Sequence, residues 1–118
     1  KQGVTCVNIM AEDARKLSDF FSFDKILLDA PCSGSGTESV FNPKFTEELI
    51  QRSAKTQEEL LTKALKILKK DGEMVYSTCS ILACENEDII NKALLGGNTE
   101  IIPPTELYEG FFVAKIRK

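Results

Sequence analysis

The sequence predicts an α/β fold built on parallel βαβ units. Three observations carry that expectation. Lys25-Ile26-Leu27-Leu28-Asp29 carries a continuous apolar run without alternation, the pattern of a strand buried on both faces in a parallel sheet. Glu73 to Ser77 (Glu-Met-Val-Tyr-Ser) is a second central-strand candidate. Between them Ile50, Ala54, Gln57, Leu61, Leu65 and Leu68 recur at helical spacing and form one face, with Gln57 its polar break. Strand, long helix and strand in that order imply a parallel crossover.

The remaining elements follow along the chain. Val4 to Ile9 is β-rich and short, and reads as a strand. Glu12 to Phe21 is polar with Leu17, Phe20 and Phe21 apolar, a short helix or loop. Ala30-Pro31-Cys32-Ser33-Gly34-Ser35-Gly36 is a loop by composition. The long helix starts either at Asn42-Pro43, with Asn as cap and Pro in the first turn, or at Thr46. It runs to Lys70 and is closed by Asp71-Gly72. Glu85 to Leu95 is a second helix, closed by Gly96-Gly97. Thr99–Ile102 and Phe111–Ile116 are separated by too few residues for a crossover helix and predict an antiparallel hairpin at one sheet edge.

Composition narrows the function. The 118 residues make one domain, 42% hydrophobic and 28% charged, with enough apolar side chains to bury a core. No apolar run is long enough to span a membrane and the first residues lack a leader pattern, so no membrane partner is expected. A net charge of −3 argues against a broad electrostatic nucleic-acid binder, and any RNA contact needs a local patch. The absence of His removes His-based triads, general bases and metal ligands. Cys6, Cys32, Cys79 and Cys84 include no C-x-x-C spacing, so no metal site is expected. Cys6 and Cys84 read as buried or neutral thiols of a reducing compartment.

Candidate chemistry gathers where the two central strands end. One strand runs into Asp29-Ala30-Pro31-Cys32 and the other into Ser77-Thr78-Cys79-Ser80. In open α/β sheets ligands bind beyond the carboxyl ends of the strands. If these strands are neighbours, two thiols and the Asp29 carboxylate share one edge. Each Cys alone is better explained as a small core hydrophobe, whereas the pair, each just after a central strand and among turn residues, points toward function. Gly34-Ser35-Gly36 has glycines for an anion cradle but neither a dinucleotide nor a P-loop pattern, and a turn is the better reading. Lys63, Lys66 and Lys70, with Arg52, Lys55 and Lys69 nearby, form either an RNA-facing stripe or, by base rate, a solvated helix face.

Asp29 to Gly36 and Tyr76-Ser77-Thr78-Cys79-Ser80 together resemble the two signature motifs of the RNA 5-methylcytosine methyltransferases of the Sun/Nop group. Supporting matches are Phe23-Asp24, Lys69-Lys70-Asp71-Gly72, Glu85-Asn86-Glu87 and Glu109-Gly110-Phe111-Phe112-Val113-Ala114, in order from Asp13 to Lys118. The resemblance implies a Rossmann-like sheet and S-adenosylmethionine as cofactor. It implies methylation of carbon 5 of cytosine in RNA, rRNA first and tRNA second, in the cytoplasm or, in a eukaryote, the nucleolus. It assigns Cys79 as the nucleophile that adds to carbon 6, and Cys32 as the group that helps release the product. Asp29 would hydrogen-bond the cytosine edge. Asp13 falls where the family has an adenine-contacting acid, and Pro31 would shape the pocket wall, so Asp13, Asp29 and Pro31 are the cofactor-side candidates.

The sequence departs from the family in three places. The glycine-rich cofactor loop should lie before Asp13, and no such loop occurs there. The chain therefore reads as the C-terminal portion of a catalytic domain, truncated on its N-terminal side, inactive alone and self-associating where strands are missing. Glu38-Ser39-Val40-Phe41 lacks the basic residues the family often carries, and Gly96 to Gly110 is shorter than its usual insert. Two rival readings remain: a non-catalytic scaffold that binds RNA or a partner, and a thiol enzyme using Cys32 and Cys79 as a redox pair.

Overall fold

The structure, a computed structural model, describes residues 3–37, 45–93, 98–102 and 111–118. Its elements are β1 (Phe23–Asp29), α1 (Glu47–Ile67), β2 (Leu68–Thr78), α2 (Glu87–Ala93), β3 (Asn98–Ile102) and β4 (Phe112–Arg117). Short 3-10 turns at Ala14–Lys16 and Ala83–Glu85 precede β1 and α2. The sheet order is β1-β2-β4-β3. β1 and β2 are parallel neighbours joined across α1, while β4 runs antiparallel to both β2 and β3. The expected edge hairpin is thus present.

Thr46 starts α1. Its hydroxyl accepts the Leu49 N–H at 3.1 Å, and Glu47 and Glu48 follow in the first turn, where the helix dipole favours acids. Asn42-Pro43, the other candidate start, lies outside the described residues, as do Glu38–Phe41, Leu94–Gly97 and the segment 103–110. At its far end α1 stops at Ile67, three residues before the expected limit. Leu68 turns to extended backbone and pairs with Phe23, and the Lys118 ammonium donates to the Leu65 and Leu68 carbonyls. A sheet neighbour and a side-chain cap outweigh helix propensity here.

One face of the sheet carries the core. Met74, Tyr76 and Thr78 of β2 and Phe112, Ala114 and Ile116 of β4 are buried, together with Leu61 and Ala64 of α1 and Ile89 and Ile90 of α2. Tyr76 and Phe112 meet edge to face at 6.2 Å. β1 is not buried on both faces. Ile26 and Leu28 pack against the core, but Leu27 is 74% exposed. The physical reason is that, among the described residues, the core helices lie against one side of the sheet only. Val4–Ile9 is likewise no strand; its Val4, Val7 and Ile9 are exposed and unpaired. β propensity without a neighbouring strand does not make a ladder. Among the described residues no helix is long and apolar enough to cross a membrane.

Candidate active site

The parallel register places Asp29 opposite Ser77. The loops that follow β1 and β2 therefore leave the sheet at the same edge, as sequence reasoning required. They are stitched together at once: the Ala30 N–H donates to the Ser77 carbonyl at 2.9 Å, and the Gly36 N–H to the Cys79 carbonyl at 2.9 Å. Cys32 and Cys79, 47 residues apart, bring their Sγ atoms to 3.1 Å. Both are half-buried. The Ser77 hydroxyl donates to Asp29 Oδ1 at 3.0 Å, and the Asp29 carboxylate faces solvent. Pro31 is exposed, and its carbonyl accepts the Gln57 side-chain amide at 2.8 Å. Asp29, Pro31, Cys32 and Cys79 thus form one constellation.

Beneath it lies a polar layer that sequence reasoning missed. Glu85 is fully buried. Its Oε1 accepts the Ser33 N–H at 2.8 Å, and its Oε2 accepts the Ser33 hydroxyl at 2.6 Å and the Ser80 hydroxyl at 2.5 Å. Ser35 and Ser80 hydroxyls meet at 2.9 Å, and Thr78 donates to Asn86 Oδ1 at 2.6 Å. The signals were a polar break at Gln57 in an otherwise apolar helix face and the Glu85-Asn86 doublet. Buried polar groups need partners, so both implied a partner layer below the loops.

Burial pushes the Cys79 thiol up to about 11, helped by its contact with Cys32 and by the Asp29 charge. No helix begins at Cys79: the nearest turn, Ala83–Glu85, starts four positions later. Asp13 stands apart from the thiols among its hydrogen bonds. It caps the Ala14–Lys16 turn and is gripped by Arg15, which also reaches Glu59 at 2.7 Å. Hydrogen bonds from Arg15 hold the Asp13 carboxyl down at about 2.

Hydrogen bonds, ion pairs and exposure bear on three further readings. The Gly34–Gly36 segment is a turn, with the Ser35 and Gly36 amides engaged by the Ser33 hydroxyl and the Cys79 carbonyl, and the Thr37 amide by the Gly34 carbonyl. Three of the six basic residues named for the stripe are held in ion pairs. Lys63 and Lys66 both hold Asp19, and Lys69 holds Asp24. Cys6 and Cys84 are exposed rather than buried. Among the described residues no three His, Cys, Asp or Glu side chains gather as metal ligands.

A parallel βαβ core with an antiparallel edge pair and paired thiols beyond its strand ends defines the class, a Rossmann-like methyltransferase fold. The chain belongs to the 16S rRNA methyltransferase RsmB/F family, whose model matches residues 1–100. It is 35% identical to the tRNA (cytosine(72)-C(5))-methyltransferase of Pyrococcus horikoshii, over 98% of this chain and 35% of that protein. It is 39% identical to the 28S rRNA (cytosine-C(5))-methyltransferase of Mus musculus, over 86% of this chain and 14% of that protein. The crystal structure of NSun6 from Pyrococcus horikoshii with SFG superposes with a TM-score of 0.78 at 30% identity, covering 94% of this chain and 34% of that one. That of PH0851 gives 0.80 at 32% identity, covering 98% and 32%. The chain therefore spans about a third or less of the length of these relatives.

Proposed function

We propose that the protein carrying this chain methylates carbon 5 of cytosine in RNA with S-adenosylmethionine, rRNA being the first substrate to test and tRNA the second. The observation that carries the reading is the pair of thiols at 3.1 Å beside Asp29, at the shared edge of two parallel strands. Relatives named as rRNA and tRNA cytosine-C5 methyltransferases support it.

The residues present fit one flank of a site for S-adenosylmethionine. Asp29 offers an exposed carboxylate and Pro31 an exposed wall at the strand ends; Asp13 offers a second carboxylate, already shared with Arg15. They suit the amino groups of the cofactor. Its glycine cradle is not built by Gly34 or Gly36, whose turn is closed on itself. When bound, the cofactor supplies an electrophilic methyl group.

The protein's own steps are these. A target cytosine is unstacked to reach the edge. The Cys79 thiolate bonds to carbon 6, and Asp29 holds a proton at N3, so that ring electron density moves to carbon 5. Carbon 5 takes the methyl group. Cys32, as thiolate, takes the carbon-5 proton, the C–H pair re-forms the C5=C6 double bond, and the C–S pair returns to Cys79, releasing the product. The test uses the longest natural chain carrying these residues. In Cys32→Ala, incubation with S-adenosylmethionine and cytosine-containing RNA is expected to accumulate a covalent protein–RNA band on a denaturing gel. The band should vanish when Cys79 is also changed to Ala. No band with structured rRNA or tRNA would turn the reading toward a non-catalytic scaffold.

A further inference from the structure

Glu85 is a fully buried carboxylate with a single job visible in its contacts. An uncompensated buried charge is strongly unfavourable, so such a group persists where donors converge on it. Here they come from two loops and a helix. Ser33 donates twice, through N–H and hydroxyl, and Ser80 donates its hydroxyl. Gln57 of α1 approaches Oε1 at 3.5 Å. Ser33 directly follows Cys32, and Ser80 directly follows Cys79. One carboxylate therefore grips the residue after each thiol. The Glu85 backbone is itself anchored, its carbonyl accepting the Tyr76 hydroxyl at 2.8 Å, and Tyr76 lies in the core strand β2.

We infer that Glu85 is a positioning residue that sets the separation of Cys32 and Cys79 by clamping both thiol-bearing loops. The bonds to Ser33 and Ser80, at 2.5 to 2.8 Å, are short and directional, so they fix both loops. The clamp acts through geometry rather than charge. A Gln in its place keeps an oxygen for the Ser33 N–H and offers an NH2 to the two hydroxyls, which can rotate to accept. An Ala removes every bond. The kinetic part of the test rests on the proposed methyl transfer; the thiol separation is read without it.

The experiment compares wild type, Glu85→Gln, Glu85→Ala and Ser80→Ala in the longest natural chain carrying these residues. Diamide is the oxidant: the two thiols give up two electrons and two protons to its N=N bond, which becomes a hydrazine, and an S–S bond forms. Peptide mapping follows the Cys32–Cys79 disulfide with time. Wild type and Glu85→Gln should form it at rates within about threefold, and Glu85→Ala at least about tenfold more slowly. For methyl transfer, Glu85→Ala should lose about 100-fold in kcat with cofactor KM nearly unchanged, and Glu85→Gln should recover most of it. If Glu85→Ala does not fold, Ser80→Ala, which frees the Cys79 loop alone, should show the slowed oxidation. Wild-type oxidation rates in folded Glu85→Ala or in Ser80→Ala overturn the inference, as does a wild type that forms no such disulfide. Disulfide results as expected, with no methyl transfer to RNA in wild type, would sink the proposed activity and leave the clamp standing.

Discussion

Cys79 shares its corner with a second thiol and a carboxylate, and each raises the cost of ionising it. Burial is the largest cause, followed by the Cys32 contact; the Asp29 charge adds to both, and the thiol sits at about 11. The thiolate is the reactive form, so its fraction at neutral pH is small and grows about tenfold per pH unit below that value. Labelling of Cys79 by iodoacetamide should therefore climb with pH throughout the range from about 7 to 10. In Cys32→Ala one of the raising causes is gone, and the climb should begin at lower pH. A wild-type rate that is already flat at neutral pH would refute this account of the site. Asp13 lies at the opposite extreme: Arg15 holds it ionised at any ordinary pH, but both groups are at the surface, where such pairs add little stability.

At the scale of elements, the entry into the straight part of β2 depends on Asp71-Gly72. Asp71 adopts φ of 65°, a left-handed conformation. At Gly72 a Cβ would stand 2.8 Å from the Leu68 side chain, 2.8 Å from the Lys69 carbonyl and 3.0 Å from that of Asp24. Two of these are backbone atoms and cannot step aside cheaply. Gly72→Ala should cost about 1–3 kcal/mol, read as a lower denaturation midpoint in urea. An unchanged midpoint would mean that the β1–β2 approach is looser than described. The same two residues were read as a helix end. They are a turn within the strand, because the Leu68–Phe23 pairing takes the chain out of helix before they are reached.

At the scale of the molecule, the sheet is dressed on one side. Leu27 and Phe23 of β1 and Ile81 beyond β2 remain exposed, and among the described residues β1 has a strand neighbour on one edge only. An open strand edge with apolar side chains invites pairing with another copy. The 118-residue chain alone is expected to self-associate, with its average sedimentation coefficient rising with concentration. A clean monomer with cooperative unfolding would indicate that the edge is protected.

Local chemistry was enough for much of this protein. The α/β class, the four observed strands along the chain and the long helix between the first two follow from spacing, propensity and turn residues. These depend on neighbours in sequence, so they are legible there. Only the tertiary structure decided what depends on neighbours in space. It ended α1 at Ile67, left Leu27 exposed and Val4–Ile9 unpaired, and committed Lys63 and Lys66 to Asp19. It raised the Cys79 pKa, because burial and a second thiol disfavour the charged form. It gave Glu85 its place, since a carboxylate's partners at Ser33 and Ser80 are chosen by the fold and not by the residues beside it.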